Sequence, residues 1–361
     1  MRRLGSTLGP GFSRLHLCVG VVAALLSLPI QTARADEGGA SFWIPGFFGS
    51  LAATPATPGW SMTSIYWHDS VSAAGDVARS REIQIGRVPV NLTASFTGNV
   101  NANLDLGLVA GTYTFATPVL GAQASASLLG VYGSNSTTLA GTLSGQLATP
   151  LGTVGFSRFD SINSSLIAFG DLLPMYQMKW NAGVNNFMTY VTGDLPAGAY
   201  DRFRLANIGI GHWAIDAGGG YTYFDQKTGR EASAVLGFTY NFINPATQYQ
   251  SGVDMHLDWG VSQFVTKQIQ VGLVGYLYQE IGCDSGSGDR VGCFRSRVAS
   301  VGPQFGYIFP VGDKLQGYLN LKAYGEFANE NRPAGWNLWL TFNLSPAAPT
   351  PPTPSRPMFT K

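Results

Sequence analysis

From residue 215 onward, apolar and polar positions alternate along the chain with a period of two. In residues 252–265, Val253, Met255, Leu257, Trp259 and Val261 share one parity, and Asp254, His256, Asp258, Gly260 and Ser262 share the other. Successive side chains of a strand point to opposite faces, so this stretch reads as a strand with one oily and one wet face. The same pattern returns with Ile215, Ala217, Tyr221 and Tyr223 against Asp216, Gly218 and Thr222, and with Ala234, Leu236, Phe238, Tyr240 and Phe242 against Ser233, Gly237, Thr239 and Asn241. It continues through Ile269, Val271, Leu273 and Leu277, through Val301, Phe305, Tyr307 and Phe309, through Leu315, Leu319 and Leu321, and through Trp336, Leu338, Leu340, Phe342 and Leu344. Each run has the ~9–11 residues that a tilted strand needs to cross a bilayer.

The connections between these runs alternate in length. Residues 226–229, 266–268 and 311–314 are tight turns, whereas 243–251, 282–294 and 329–335 are longer. Short turns on one side and long loops on the other mark outer-membrane barrels, with the turns in the periplasm. Both termini then lie on the periplasmic side. Earlier in the chain, residues 60–68, 80–96, 100–115, 119–132, 138–148 and 172–191 read as further strands. The expected fold is all-β: a transmembrane antiparallel up-and-down barrel of about 12–14 strands. Trp336, Phe309, Phe242, Tyr249 and Phe264 sit near strand ends, where an interfacial aromatic girdle would run.

The start of the chain reads as a targeting signal. Arg2, Arg3 and Arg14 precede an apolar run over residues 15–30, and Ala33-Arg34-Ala35 has the small-x-small pattern of a cleavage site, so residues 1–35 are assigned to a signal peptide. Residues 36–58 form an N-terminal segment. Its apolar stretch 41–56, which has the makings of a short helix, is expected inside the barrel as a small plug or against the periplasmic mouth. The barrel is assigned to residues 59–344. Residues 345–361 hold too much proline for a sheet or a helix and are expected as an extended, disordered tail.

With the leader's four arginines removed, 18 basic residues face 21 acidic ones, a net charge of −3. That argues against a nucleic-acid partner, which calls for a basic face. Charged residues make up only 12% of the chain, about half the fraction usual in a soluble domain. No apolar run after the leader approaches the ~20 residues of a spanning helix. A chain poor in charge, with 46 glycines and 12% aromatics, fits a membrane barrel in which apolar and polar faces alternate. The expected location is the outer membrane of a Gram-negative bacterium, with outer-membrane lipid and the barrel-assembly machinery as partners. Cys283 and Cys293 bracket a Gly- and Ser-rich loop and are expected to form a disulfide in an oxidising compartment.

Several short motifs occur in order: Gly170-Asp171-Leu172-Leu173-Pro174, the run from Thr192 through Gly193, Asp194 and Pro196 to Asp201, and Leu205-Ala206-Asn207-Ile208-Gly209. Gly229-Arg230-Glu231-Ala232-Ser233, a run from Asn244 to Gly252, Val301-Gly302-Pro303, Glu326-Phe327 and Asn331-Arg332 follow. Together, from Gly170 to Leu344, the chain resembles an outer-membrane family named for the meta-pathway of phenol degradation. The resemblance implies a barrel related to transporters of hydrophobic and aromatic compounds. The cysteine pair departs from the family pattern, and the proline-rich tail moves Phe342 and Leu344 away from the chain end, where barrel-assembly signals usually sit.

Little in the chain points to chemistry. After the leader there are three histidines, His68, His212 and His256, and no HExxH, CxxC or phosphate-loop motif. No Ser-His-acid arrangement is apparent, so an enzyme is not expected, nor a cofactor or metal. Asp254, His256 and Asp258 share one wet strand face, as do Tyr318, Lys322, Tyr324 and Glu326, and these seven are the candidate lumen and substrate residues. Lys322 and Glu326 are expected to pair with Asp254 or Asp258 across the lumen, since charges in a narrow interior need partners. Asn331 and Arg332 are candidate gate residues on a loop. The leading function is a channel for passive uptake of small hydrophobic or aromatic molecules. The alternative is a structural or adhesive surface protein whose barrel is filled.

Overall fold

The computed structural model describes residues 42–75, 79, 94–149, 152–290 and 292–348. The signal-peptide assignment, residues 80–93 of the strand expected at 80–96 and most of the proline-rich tail lie outside the described residues. Within them the chain forms β1 (Gly59–Ala74), β2 (Ala94–Thr114), β3 (Gln123–Thr149), β4 (Gly152–Ala182), β5 (Asn185–Asp194), β6 (Ala214–Asp225), β7 (Arg230–Asn241), β8 (Asp254–Phe264), β9 (Ile269–Glu280), β10 (Arg297–Val311), β11 (Leu315–Glu330) and β12 (Ala334–Pro346). Each strand pairs antiparallel with its neighbours in sequence, and β1 closes the ring on β12. The closing seam runs from Met62 opposite Leu344 to Ser72 opposite Ala334. Over the height that all twelve strands share, closure leaves no sheet edge, the condition for a sheet that crosses a bilayer; above it Ala94–Gly98 of β2 and the first half of β4 pair with β3 alone.

From β6 to β12 the expected strands are present. Leu236, Phe238 and Tyr240 point outward, while Val235 and Thr239 point in. Earlier strands differ from expectation. Residues 119–132 and 138–148 are not two strands but mostly parts of β3, which begins at Gln123. Residues 172–191 are not one strand: the chain turns at Val184 between β4 and β5, and the stretch 152–171, which none of the expected strands covered, is the first part of β4. The connection expected to be long at 329–335 has only residues 331–333 outside strands, and β12 runs two residues past the expected barrel end.

The long strands β2–β4 explain the weaker pattern. At ~3.3 Å per residue, the 31 residues of β4 span far more than a bilayer core. Above Tyr66 and Gly107 the outward positions of β1 and β2 turn polar. There Tyr66 donates to Asp105 (2.5 Å), His68 lies 2.8 Å from the same oxygen, and Ser70 donates to Asn103 (2.8 Å). The interior is apolar along the same strands: Ile65, Trp67, Leu104, Leu106, Leu108 and Leu129 face inward and are buried. Part of the lumen wall is therefore oily, where alternation alone suggested a wet one. Tyr249, expected in an aromatic girdle, is instead buried in the connection after β7, whereas Trp336 and Phe242 are exposed.

Candidate functional site

Residues 42–58 run through the barrel interior from the long-loop end to the start of β1. Pro45, Pro55 and Pro58 exclude a regular helix, and the expected short helix is replaced by turns. One is closed by the Phe47 amide donating to Ile44 (3.2 Å), another by the Thr54 amide donating to Leu51 (3.0 Å). Gly46 takes φ +88°, a left-handed conformation that glycine adopts without strain. Its missing side chain also makes room, since a Cβ there would stand 3.1 Å from the Tyr324 ring.

The wall holds this segment mainly through its backbone. The Asp258 carboxylate accepts the Gly46 and Phe48 amides, each at 3.0 Å. From β11, three strands round the ring from β8, the Lys322 ammonium donates to the carbonyls of Gly46 (2.5 Å), Phe47 (3.4 Å) and Phe48 (3.3 Å). Lower down, the Leu51 amide donates to Glu231 (2.9 Å) and Ser233 (3.1 Å), and the Ala53 amide donates to Thr222 (3.0 Å). Gln304 donates to the Ser50 hydroxyl (2.5 Å), and the Ala56 amide donates to Gln123 (2.7 Å). A buried amide or charge without a partner is costly, so these contacts satisfy both the segment and the wall.

Aromatic rings complete the fit. Trp43 stacks on His256 with ring centroids 3.8 Å apart and 15° between planes, and lies 5.9 Å from the Tyr190 ring. Phe48 approaches Tyr190 at 5.2 Å, and Phe47 meets Trp339 edge-on at 6.3 Å. His256 is held from behind by Asp216, 2.8 Å from its Nε2, and Asp216 also accepts the Thr239 hydroxyl (2.6 Å). Gly237 leaves the space for this ring: a Cβ there would lie 2.1 Å from the Tyr190 hydroxyl and 2.4 Å from His256. Gly260, on the wet face of β8, leaves room for the inner segment in the same way, for Ser50 sits against it.

Asp254, His256, Asp258, Tyr318, Lys322 and Tyr324 are all on the inward face, but they do not form one cluster. Asp254 accepts from Asn241 (3.0 Å), near the long-loop end. Tyr318 donates to Gln270 (2.9 Å), near the short turns. The expected pairing of Lys322 with an aspartate across the lumen is replaced by an arrangement in which backbone lies between: Lys322 meets carbonyls and Asp258 meets amides of the same residues. Glu326 likewise pairs with no lumen aspartate in the hydrogen-bond network, but accepts the Tyr276 hydroxyl (2.6 Å) and the Gly335 amide (2.9 Å). Asn331 donates to the Arg295 carbonyl (3.0 Å), and the Arg332 guanidinium lies 4.4 Å above the Tyr278 ring. Cys283 and Cys293 are joined by a disulfide. Among the described residues no group of three or more His, Cys, Asp or Glu side chains is arranged to hold a metal.

Several contributors were not singled out from the sequence: Trp43, Tyr190, Asp216, Glu231 and Gln304. Asp216 and Gln304 do fall on wet strand faces, which is the signal that could have found them. A second cluster, around Asp171, explains the motifs of residues 170–209. Its carboxylate accepts the Gly198 (2.7 Å) and Ile210 (2.8 Å) amides. Leu172 and Leu195 exchange backbone bonds (3.2 and 2.9 Å), and the Ala199 amide donates to Phe169 (2.9 Å). Strand β5 has only 10 residues, and above its end this loop takes the place of a neighbour for β4. The three motifs thus meet in space to seal the wall.

The profile of the family described as "Putative MetA-pathway of phenol degradation" matches residues 85–342. No curated protein matches the chain. Among solved structures, an outer membrane channel from Pseudomonas putida F1 superposes with a TM-score of 0.60 at 14% identity, covering 83% of this chain and 98% of that one. A FadL homologue from Pseudomonas aeruginosa aligns over 87% of this chain and 97% of that one, at 11% identity and a TM-score of 0.36. At such identity the first of these supports the barrel fold, and the second adds nothing to it.

Proposed function

Because the chain belongs to the family described as "Putative MetA-pathway of phenol degradation", we propose that it is an outer-membrane channel for passive uptake of small hydrophobic or aromatic molecules, closed by its own residues 42–58. The observation that carries this reading is the apolar inner wall of β1–β3. A water-filled pore has polar walls, whereas Ile65, Trp67, Leu104, Leu106 and Leu108 meet Tyr276, Tyr324 and Trp339 in one interior cluster. A small aromatic solute gains from such a wall by burial, at roughly 25 cal/mol per Å² of apolar surface. The inner segment is non-covalently held, so it can yield to a solute without a covalent bond being broken.

In this reading the short turns face the periplasm, the long loops face the outside, and the apolar outer belt faces lipid. Gly59 of β1 and Pro346 of β12 meet at the short-turn end, whereas Phe42 packs against Ile210 and Ala214 at the long-loop end. The wall residues Asp258 and Lys322 serve as latches for the segment, and His256 orients Trp43. Asn331 and Arg332 fix the loops above the lumen. The test is initial uptake of a radiolabelled neutral monoaromatic at low concentration by cells lacking the gene, with and without its restoration. Restoration is expected to raise the rate severalfold and to leave uptake of a sugar unchanged; equal rates for the aromatic would count against the channel.

The many contacts of residues 42–58 also favour a second reading, a structural barrel filled permanently. Passage in the uptake assay separates the two.

A further inference from the structure

The positive charges of the two ends differ in kind. Among the described residues, the short-turn end carries Lys227, Lys267 and Lys314 beside Arg230, while the cations of the long-loop end are arginines. Two of these, Arg295 and Arg297, line a cleft of about 330 Å³ together with Gln279, Cys293, Glu330 and Asn331. Arg297 opens β10 and stands between Gln279 of β9 and Glu330 of β11. It pairs with Glu330 at 3.0 Å, both side chains being largely exposed. The Arg295 guanidinium donates to the Cys283 sulfur (3.5 Å), a weak acceptor.

The cleft is pre-shaped. The Cys283–Cys293 disulfide ties the loop, the Ser296 amide donates to Glu280 (3.0 Å), and Asn331 donates to the Arg295 carbonyl (3.0 Å). Directly below it, the outward face becomes apolar: Val301 on β10 is 42% exposed and Phe327 on β11 is 52% exposed. Val301 is four residues from Arg297, roughly 13 Å at the rise of a strand. Two arginines and two amides thus stand one headgroup's depth above a surface suited to acyl chains. Guanidinium forks match phosphate oxygens in bidentate geometry, which a lysine does not.

Resting on the membrane reading above, we propose that this cleft binds the phosphate of a phosphorylated glycolipid in the outer leaflet, whose acyl chains lie along Val301 and Phe327. The phosphate competes with Glu330 for Arg297, so Glu330 tempers the affinity. The test uses the full-length protein in detergent, titrated with an acylated glucosamine disaccharide carrying two phosphates, with its dephosphorylated form, and with inorganic phosphate alone. Binding is read by native mass spectrometry, and folding of each variant by heat-modifiable gel mobility.

The wild-type protein is expected to retain the phosphorylated lipid, the Arg295→Gln/Arg297→Gln variant to bind it at least tenfold more weakly, and Glu330→Gln to bind it a few-fold more tightly. Equal binding by wild type and the double variant would overturn the site, as would equal binding of the dephosphorylated lipid. Inorganic phosphate binding as well as the lipid would overturn the lipid assignment. Insertion into liposomes, measured on the same samples, tests the membrane reading separately. Failure to insert would sink both readings, whereas insertion with equal lipid binding would sink this one alone.

Discussion

Replacing Asp258 with alanine removes both acceptors for the Gly46 and Phe48 amides, each now bonded at 3.0 Å. The two N–H groups are buried where they stand, and hydrogen bonds to a charged group contribute about 1.5–3 kcal/mol each. Together the loss is about 3–6 kcal/mol, before any relaxation. Lys322 is also left without the nearby negative charge that balances it in the closed interior, which moves the estimate in the same direction. At 1.4 kcal/mol per factor of ten, the equilibrium between docked and released segment shifts by about 10²–10⁴. Asp258→Asn keeps one acceptor oxygen, so it is expected to lose about half as much. Trp43 and Phe48 bury their rings against Tyr190 and His256, and this favours docking by roughly 1.5–3 kcal/mol each, so a fully folded barrel should survive the change. The assay is single-channel recording in planar bilayers, combined with proteolysis between residues 42 and 58. Brief, rare openings in the wild type should become frequent in Asp258→Ala and intermediate in Asp258→Asn, with matching protease sensitivity. Unchanged openings and unchanged cleavage in a correctly folded Asp258→Ala variant would refute the reasoning that this carboxylate holds the segment.

Three further outcomes are expected. Asp171→Ala removes the acceptor for the Gly198 and Ile210 amides, loosening residues 195–213 by about 2–5 kcal/mol; faster hydrogen exchange at those two amides, with unchanged exchange on β8–β12, is the check. Gly237→Val drives a side chain into Tyr190 and His256 and should destabilise the barrel by about 1–3 kcal/mol, lowering the temperature of the gel-mobility transition. Replacing Cys283 and Cys293 with serine opens a loop of sequence separation 10, which should make it protease-sensitive at a local expense of about 2–3 kcal/mol and leave barrel mobility on gels unchanged.

Strands β6 to β12 were legible because their outward residues, such as Leu236, Phe238 and Val301, face the apolar surroundings while their inward ones are polar. Strands β2–β4 were harder for two reasons. They run past the apolar belt, so the outward Asn101, Asn103 and Asp105 are polar. Their inward Leu104, Leu106 and Leu108 are apolar, which inverts the phase of the pattern without removing it. Periodicity reports which residues share a face and not which face is the inside. The merger of two expected strands into β3 has the same origin, since Tyr132–Thr138 is a polar outer stretch of a strand that has left the belt.

The candidate site was legible in part. Asp258 and Lys322 were identified as inward charges, and a charged partner was expected for each. Their partners are instead the amides and carbonyls of residues 46–48, which every sequence has and which no residue pattern marks. The disulfide was legible because two cysteines bracketed a short loop. The role of Asp171 was not, because its partners come from a loop 27 and 39 residues further on, and only the fold brings them together.

The claim on which the account rests most is that residues 42–58 must yield for a solute to pass. A Cβ at Gly49 would lie 3.8 Å from the Cγ1 methyl of Val274 on the wall, so side chains at the two positions are in van der Waals contact and within reach of a cross-link. Uptake of a neutral monoaromatic is therefore to be measured in cells carrying Gly49→Cys/Val274→Cys, oxidised and then reduced, with each single variant alongside. The account predicts uptake at the level of cells without the protein when the cross-link is closed, and recovery when it is reduced. Wild-type uptake through a barrel shown by mass spectrometry to be fully cross-linked would contradict it.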